Sequence, residues 1–200
     1  MAISRNPVLL VHGIYDTLAK FRVMAAYLQE RDWEVHCLNL RPNNGTAPLE
    51  QLAHQVADYV REHFAPPQKI DLLGFSMGGL VTRYYLQRLQ GHQQVQRYIS
   101  ISAPNRGTWL GFGLPRAGVW QMRPGSRFLQ DLNQDCHYHL APLAVTVLWT
   151  PYDLMILPPE SSRLGLGKEI AVPVPIHSWM VSDSRVLRQV EQALSQDLPA

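Results

Sequence analysis

The sequence predicts an α/β fold: a mostly parallel central sheet of about six strands with helices on both faces, interrupted by one irregular excursion. Two observations carry this. Short, continuously apolar runs alternate with longer segments of helical period, and a glycine-flanked serine falls where one such run gives way to a helix. Val8 to Val11 is apolar without a break, as in a strand buried on both faces, and Phe21, Met24, Ala25 and Leu28 then recur at helical spacing. Val35 to Leu40 makes a second strand and Arg41 to Ala47 a loop. Pro48 then opens a helix with Leu49, Leu52, Val56 and Val60 on one stripe, which Pro66-Pro67 stops. Ile70 to Leu73 is the third strand, Gly78 to Leu89 the next helix with Gly91 as its expected terminator, and Val95 to Ile101 the following strand.

From Asn105 to about Leu143 the pattern fails, because Gly107, Gly111, Gly113, Pro115, Gly118, Pro124, Gly125 and Pro142 break up the windows a helix needs. Regularity returns with strands at Val145 to Trp149 and Ile170 to Ile176, and with a closing helix that aligns Val186, Leu187, Val190 and Leu194. No repeat, low-complexity tract or linker divides the chain, so residues 1–200 read as one domain with 105–143 as a cap or lid-like insertion.

Composition narrows the classes. At 200 residues and 46% hydrophobic content a sizeable core is available, which excludes a disordered chain and a disulfide-stapled miniprotein. Eighteen basic against sixteen acidic residues leave +2, with no overall pull toward nucleic acid. Cys37 and Cys136 form no CxxC pair and are expected to be free thiols. Met1 to Asn6 run straight into Pro7 to Val11, a stretch too short for a signal peptide, so the cytoplasm is the default compartment. No apolar run reaches the roughly eighteen residues of a membrane span.

The strongest chemical signal is Gly74-Phe75-Ser76-Met77-Gly78-Gly79, a G-x-S-x-G pentapeptide between a strand and a helix. So tight a turn forces the serine into strained backbone and thrusts its hydroxyl above the sheet edge; the alternative is a glycine-rich turn. The helix start leaves the Met77 N–H free, and Ile14, after the strand that ends Val11-His12-Gly13, offers a second donor for an oxyanion. His12 has two readings, a hydrogen bond to the loop backbone or proton transfer.

A serine hydroxyl needs an imidazole base, and the imidazole a carboxylate, in the chain order Ser, acid, His for this elbow. Downstream of Ser76 lie His92, His137, His139 and His177, with Asp131, Asp135, Asp153, Asp183 and Asp197. Asp153 and His177 are expected at carboxyl ends of strands, where Ser76 also sits. His137 or His139 with Asp131 or Asp135 satisfies the order too, but inside the excursion, where nothing in the sequence would hold an imidazole in place. Cys136, His137 and His139 invite a zinc reading, yet further ligands at suitable spacing are lacking; no metal or organic cofactor is expected.

These residues resemble serine hydrolases of the α/β-hydrolase fold, and within them the minimal bacterial triacylglycerol lipases, over most of the chain. Val11 to Ile14 looks like the family's oxyanion loop, Gly74 to Gly79 like its elbow, and Tyr152 to Ile156 like the segment bearing its acid. Ser102 to Thr108 and Pro124 to Asn133 look like further lipase loops. The resemblance implies Ser76 as nucleophile, Asp153 and His177 as its partners, and the N–H groups of Ile14 and Met77 as the oxyanion hole. His12, Tyr15, Phe75, Trp109 and Leu154 are candidates for substrate contact. The loop after Gly13 departs from the family by carrying Ile14-Tyr15-Asp16 where a further small residue is common, and the excursion is longer than in the smallest lipases.

Within residues 105–130, Arg106, Arg116, Arg123 and Arg127 stand among Trp109, Leu110, Phe112, Leu114, Val119, Trp120 and Met122 without an acidic residue. Two readings follow: a patch making peripheral contact with a lipid interface, or a cap that packs its aromatics on the core and leaves its arginines in water. The function expected is hydrolysis of small-molecule acyl esters, lipid-derived ones among them, through a serine triad. The alternatives are a thioesterase, acyltransferase or lysophospholipase on the same machinery, and a catalytically silent ligand-binding domain of the same fold.

Overall fold

The computed structural model describes residues 5–196, so Met1 to Ser4 of the N-terminal reading and the candidate Asp197 lie outside the described residues. Among those described, six strands form one sheet: β1 (Val8–Val11), β2 (Val35–Leu38), β3 (Ile70–Phe75), β4 (Val95–Ile101), β5 (Ala144–Trp149) and β6 (Lys168–Ala171). The helices are α1 (Arg22–Gln29), α2 (Leu49–His63), α3 (Met77–Arg88), α4 (Ala117–Gln121), α5 (Arg127–Gln134), α6 (Cys136–Leu140) and α7 (Ser184–Leu194). Every strand pair is parallel, in the order β2-β1-β3-β4-β5-β6.

Side chains alternate across a strand, and the two hydrophobic layers follow that alternation. Leu9, Val11, Leu72, Val145 and Val147 pack with α2 and α3 on one face. Val8, Leu10, Leu73, Ile99 and Leu148 pack with α1 and α7 on the other. The chain starts at β1, steps to β2, and returns past β1 to β3, so the direction of winding reverses between β1 and β3. Ligand sites in open α/β sheets form at the carboxyl ends beside such a reversal. Register sets Val11 opposite Gly74, which brings the loop after β1 level with Ser76.

Three expectations need correction. The last strand was expected to run from Ile170 to Ile176, but β6 ends at Ala171. Val172 N still donates to Trp149 O, but Pro151 has no N–H to return the bond and Val174 N turns back to Val172 O at 2.7 Å, so the ladder stops there. Gly91 was expected as the left-handed terminator of α3; instead Gln90 takes that conformation (φ 61°). A Cβ on Gly91 would lie 2.4 Å from the Tyr85 ring, so close packing explains this glycine.

The excursion is also more helical than its glycines and prolines suggested. None of these falls between Gly125 and Pro142, and α5 forms there, capped by Ser126 Oγ, which accepts from Leu129 N at 3.2 Å. Phe128, Leu129 and Leu132 are buried beneath it. Trp109, Phe112 and Trp120, by contrast, are exposed rather than packed on the core, which is not the arrangement of the cap reading.

A buried arginine ties α5 to α3. All five N–H groups of a guanidinium need acceptors. Arg83, fully buried, donates to Gln87 Oε1, to Asn105 O and Oδ1, to Leu132 O and to Asn133 Oδ1, at 2.9 to 3.4 Å.

Asp71, the second residue of β3, has no exposed surface and receives bonds from Asn6 Nδ2 at 3.0 Å and Arg97 Nη1 at 3.3 Å. Burial outweighs these partners and pushes its carboxyl up to about 6 from the ordinary 3.8. A raised folded-state value favours the protonated form, so this group's contribution is greatest below pH 4 and is lost as pH rises to 6. The expected decline across that window is about 3 kcal/mol. Urea unfolding at stepped pH checks it, because Asp71→Asn should flatten the slope.

Candidate active site

Ser76 occupies the turn between β3 and α3 with φ 53° and ψ −126°, a region that non-glycine residues enter only when surrounding structure enforces it. Its N–H donates to Ile101 O of β4 at 2.9 Å, and its carbonyl accepts from Gly79 N at 2.9 Å, which closes the turn. Gly78 is required because a Cβ there would meet Val11 O at 2.3 Å. As the first residue of α3, Met77 has an N–H with no acceptor inside the helix.

The loop after β1 lies directly against the serine. A Cβ on Gly13 would sit 2.9 Å from Ser76 Cβ and 3.3 Å from its Oγ. His12 fixes this loop: its Nε2 accepts from Leu40 N at 3.0 Å, so Nδ1 carries the proton and donates to Gly13 O at 2.8 Å. Burial lowers the pKa of His12 and holds the ring neutral. His12 is therefore engaged with backbone through both nitrogens and does not line the cavity at Ser76.

Asp153 follows β5 and is 1% exposed. Its Oδ1 accepts from the N–H groups of Met155 and Ile156 at 2.9 and 3.0 Å, which orients the carboxylate. Oδ2 lies 2.8 Å from His177 Nδ1. That pairing leaves His177 Nε2 available, and the Phe75 ring supports the imidazole at 4.9 Å between centroids.

Ser76 and His177 line one cavity of about 370 Å³ with Ile14, Phe75 and Leu154. No hydrogen bond joins Ser76 Oγ to His177; such bonds are commonly long until substrate closes on them.

Of the candidate substrate residues, Phe75 and Leu154 line the cavity while Tyr15 and Trp109 do not. The Tyr15 hydroxyl accepts from Arg116, and Trp109 stacks on Phe112. The competing carboxylates are engaged elsewhere: Asp131 and Asp135 bind Arg88, and Asp183 caps α7. His139 pairs with Asp135 at 3.5 Å beside His92. Among the described residues no three His, Cys, Asp or Glu side chains gather as a metal site.

Sequence reasoning missed Asp16 and Lys20, which line the cavity as a 3.8 Å ion pair. Their i,i+4 spacing was the available signal. The ammonium of Lys20 lies over the Phe75 ring and offsets a carboxylate placed close to the Gly13 loop.

Residues 6–153 match the family model described as the alpha/beta hydrolase fold, and the chain belongs to that family. Among curated proteins it is similar to the lysosomal thioesterase PPT2 of Homo sapiens, 33% identical over 111 residues that make up 53% of this chain and 36% of that one. It is also similar to palmitoyl-protein thioesterase 3 of Dictyostelium discoideum, 28% identical over 58% of this chain and 40% of the relative. The chain thus spans well under half of either relative. Among solved structures the fold is shared with the mature lipase BlEst2 of Bacillus licheniformis, at a TM-score of 0.83 and 15% identity over 96% of this chain and 93% of that one. Lipase B of Aspergillus fumigatus superposes at 0.77 and 18% identity, over 98% of this chain and 53% of the other. Among the described residues, no helix is long and apolar enough to cross a membrane.

Proposed function

We propose that the chain is a serine hydrolase of carboxylic esters that works through an acyl-enzyme intermediate. The observation that carries this reading is the buried Asp153 carboxylate 2.8 Å from His177 Nδ1, with His177 and the strained Ser76 lining one cavity. Ser76 Oγ attacks the ester carbonyl as its proton passes to His177 Nε2. The Ile14 and Met77 N–H groups receive the carbonyl oxygen as it becomes negative. Collapse of the intermediate breaks the ester C–O bond, and His177 returns the proton to the leaving alcohol. Water then attacks the acyl-enzyme by the same route, releasing the acid and restoring Ser76.

A thioester substrate is the second reading, favoured by the names of the curated relatives. Matched oxygen and sulfur esters separate the two, because chain length and acyl group are held constant while the leaving atom changes. A fluorophosphonate probe at pH 8 tests both: no covalent labelling at Ser76 would remove the serine-hydrolase reading altogether.

Residues 105–143 form a cap or lid-like insertion of a single domain in this reading, and the cavity mouth faces a lipid surface. Leu154, Met155 and Ile176 are exposed around the mouth, and Trp109, Phe112 and Trp120 are exposed on the excursion. Arg123 lies over the Phe112 and Trp120 rings, leaving apolar and cationic groups side by side. Hydrolysis of p-nitrophenyl esters of two to sixteen carbons is expected to rise with chain length and again on aggregation, with co-sedimentation stronger on anionic than on neutral vesicles. Rates confined to the shortest esters, with no vesicle binding, would leave a small-ester hydrolase. The free thiols of Cys37 and Cys136 fit the cytoplasmic compartment retained in this reading.

A further inference from the structure

The histidine expected to act as base hangs from a poorly supported stretch. Residues 172–176 lie between the end of β6 and His177, and Val174 N, the next amide that would continue the ladder, donates instead to Val172 O at 2.7 Å. Among the described residues, two hydrogen bonds attach it to the β5 end: Val172 N donates to Trp149 O at 2.8 Å, and Thr150 Oγ1 donates to Val174 O at 2.6 Å. The second lies deeper toward the site, since Val174 is three residues before His177 and Thr150 is three residues before Asp153. Thr150 is fully buried. The same hydroxyl accepts from Tyr152 N at 3.3 Å, and the Thr150 carbonyl accepts from Asp153 N at 3.3 Å.

We propose that Thr150 is a positioning residue for the proposed ester hydrolysis, a side-chain clamp that sets the Asp153 carboxylate against the His177 imidazole. One hydroxyl shapes the turn that aims the acid and grips the segment that aims the base. Without it the two segments separate or slide, and the 2.8 Å Asp153–His177 contact is the first geometry to suffer. Sub-ångström errors in such contacts lower turnover strongly; Thr150 itself does not line the cavity, though Pro175 and Ile176 of the gripped segment do.

Thr150→Val keeps the shape and deletes the donor. Its kcat is expected to fall by about 10- to 100-fold, a larger change than that in KM. The acid limb of the kcat/KM–pH profile should move to lower pH, because a carboxylate held less well stabilises imidazolium less. Thr150→Ser should restore both, and Thr146→Val, within β5 and away from the site, should alter neither. Thr150→Ala carries the comparison if the valine variant does not fold.

The proposal rests on the ester-hydrolase reading, so one measurement is independent of activity. The strongly deshielded NMR resonance of a proton shared by His177 Nδ1 and Asp153 should be present in the parent and Thr150→Ser, and lost by exchange in Thr150→Val. An inactive parent that shows this pattern would remove the hydrolase reading and keep the clamp. Parental kcat, pH profile and resonance in Thr150→Val would overturn the clamp, whatever the parent hydrolyses.

Discussion

Ser76→Ala is expected to lower ester hydrolysis by about 10⁶-fold while leaving the fold intact. In the proposed mechanism the loss is so large because Asp153 and His177 act on the hydroxyl and have nothing to activate without it. The remaining rate comes from the oxyanion donors and from binding, so substrate still occupies the cavity. Stability should change little: Ser76 is held in its turn by backbone bonds to Ile101 and Gly79, and its hydroxyl makes no hydrogen bond that folding needs. The check is a burst experiment with titrated active sites beside a urea melt. A variant that keeps even a thousandth of the parental rate, free of contaminating esterase, would mean that Ser76 is not the nucleophile.

Asp153→Asn should cost about 10⁴-fold in kcat, a loss of different origin. The substitution preserves volume, and its carbonyl oxygen still accepts from Met155 and Ile156 N–H, as Oδ1 does now. The amide nitrogen then faces His177 Nδ1 in place of Oδ2. Two donors cannot pair, so the ring shifts its proton to Nε2 and loses the lone pair that would receive the Ser76 proton. Fluorophosphonate labelling should slow in proportion to esterolysis, because both need the activated serine. Full labelling with lost esterolysis would place the role of Asp153 after acylation.

The elements most legible in the sequence were those set by local pattern. Four apolar residues at Val8 to Val11, the stripe from Leu49 to Val60, and the glycines around Ser76 each state a period or a steric demand that needs no distant partner. Asp153 and His177 were placed by chain order and by strand ends, and the fold brings them within 2.8 Å even though β6 stops six residues before the histidine. What stayed hidden depends on tertiary contact. Gly91 reads as a helix terminator, but its role is to clear the Tyr85 ring. His12 is an unremarkable strand-end histidine until Leu40, from a different strand connection, donates to it. The exposed Trp109, Phe112 and Trp120 have core-like composition, and only their surroundings show which side of the molecule they face.

The Arg83 network divides the excursion in its response to thermal opening. Moving α5 would strip a desolvated cation of the Leu132 and Asn133 oxygens, a change costing several kcal/mol in a low-dielectric interior. Residues 109–121 hold no buried cation of this kind, and five of their large apolar side chains are already in water. The two halves of one insertion therefore belong to different cooperative units. Amide hydrogens along α5 should exchange only through whole-molecule unfolding, together with those of α3, while those of residues 109–121 exchange through a cheaper local opening.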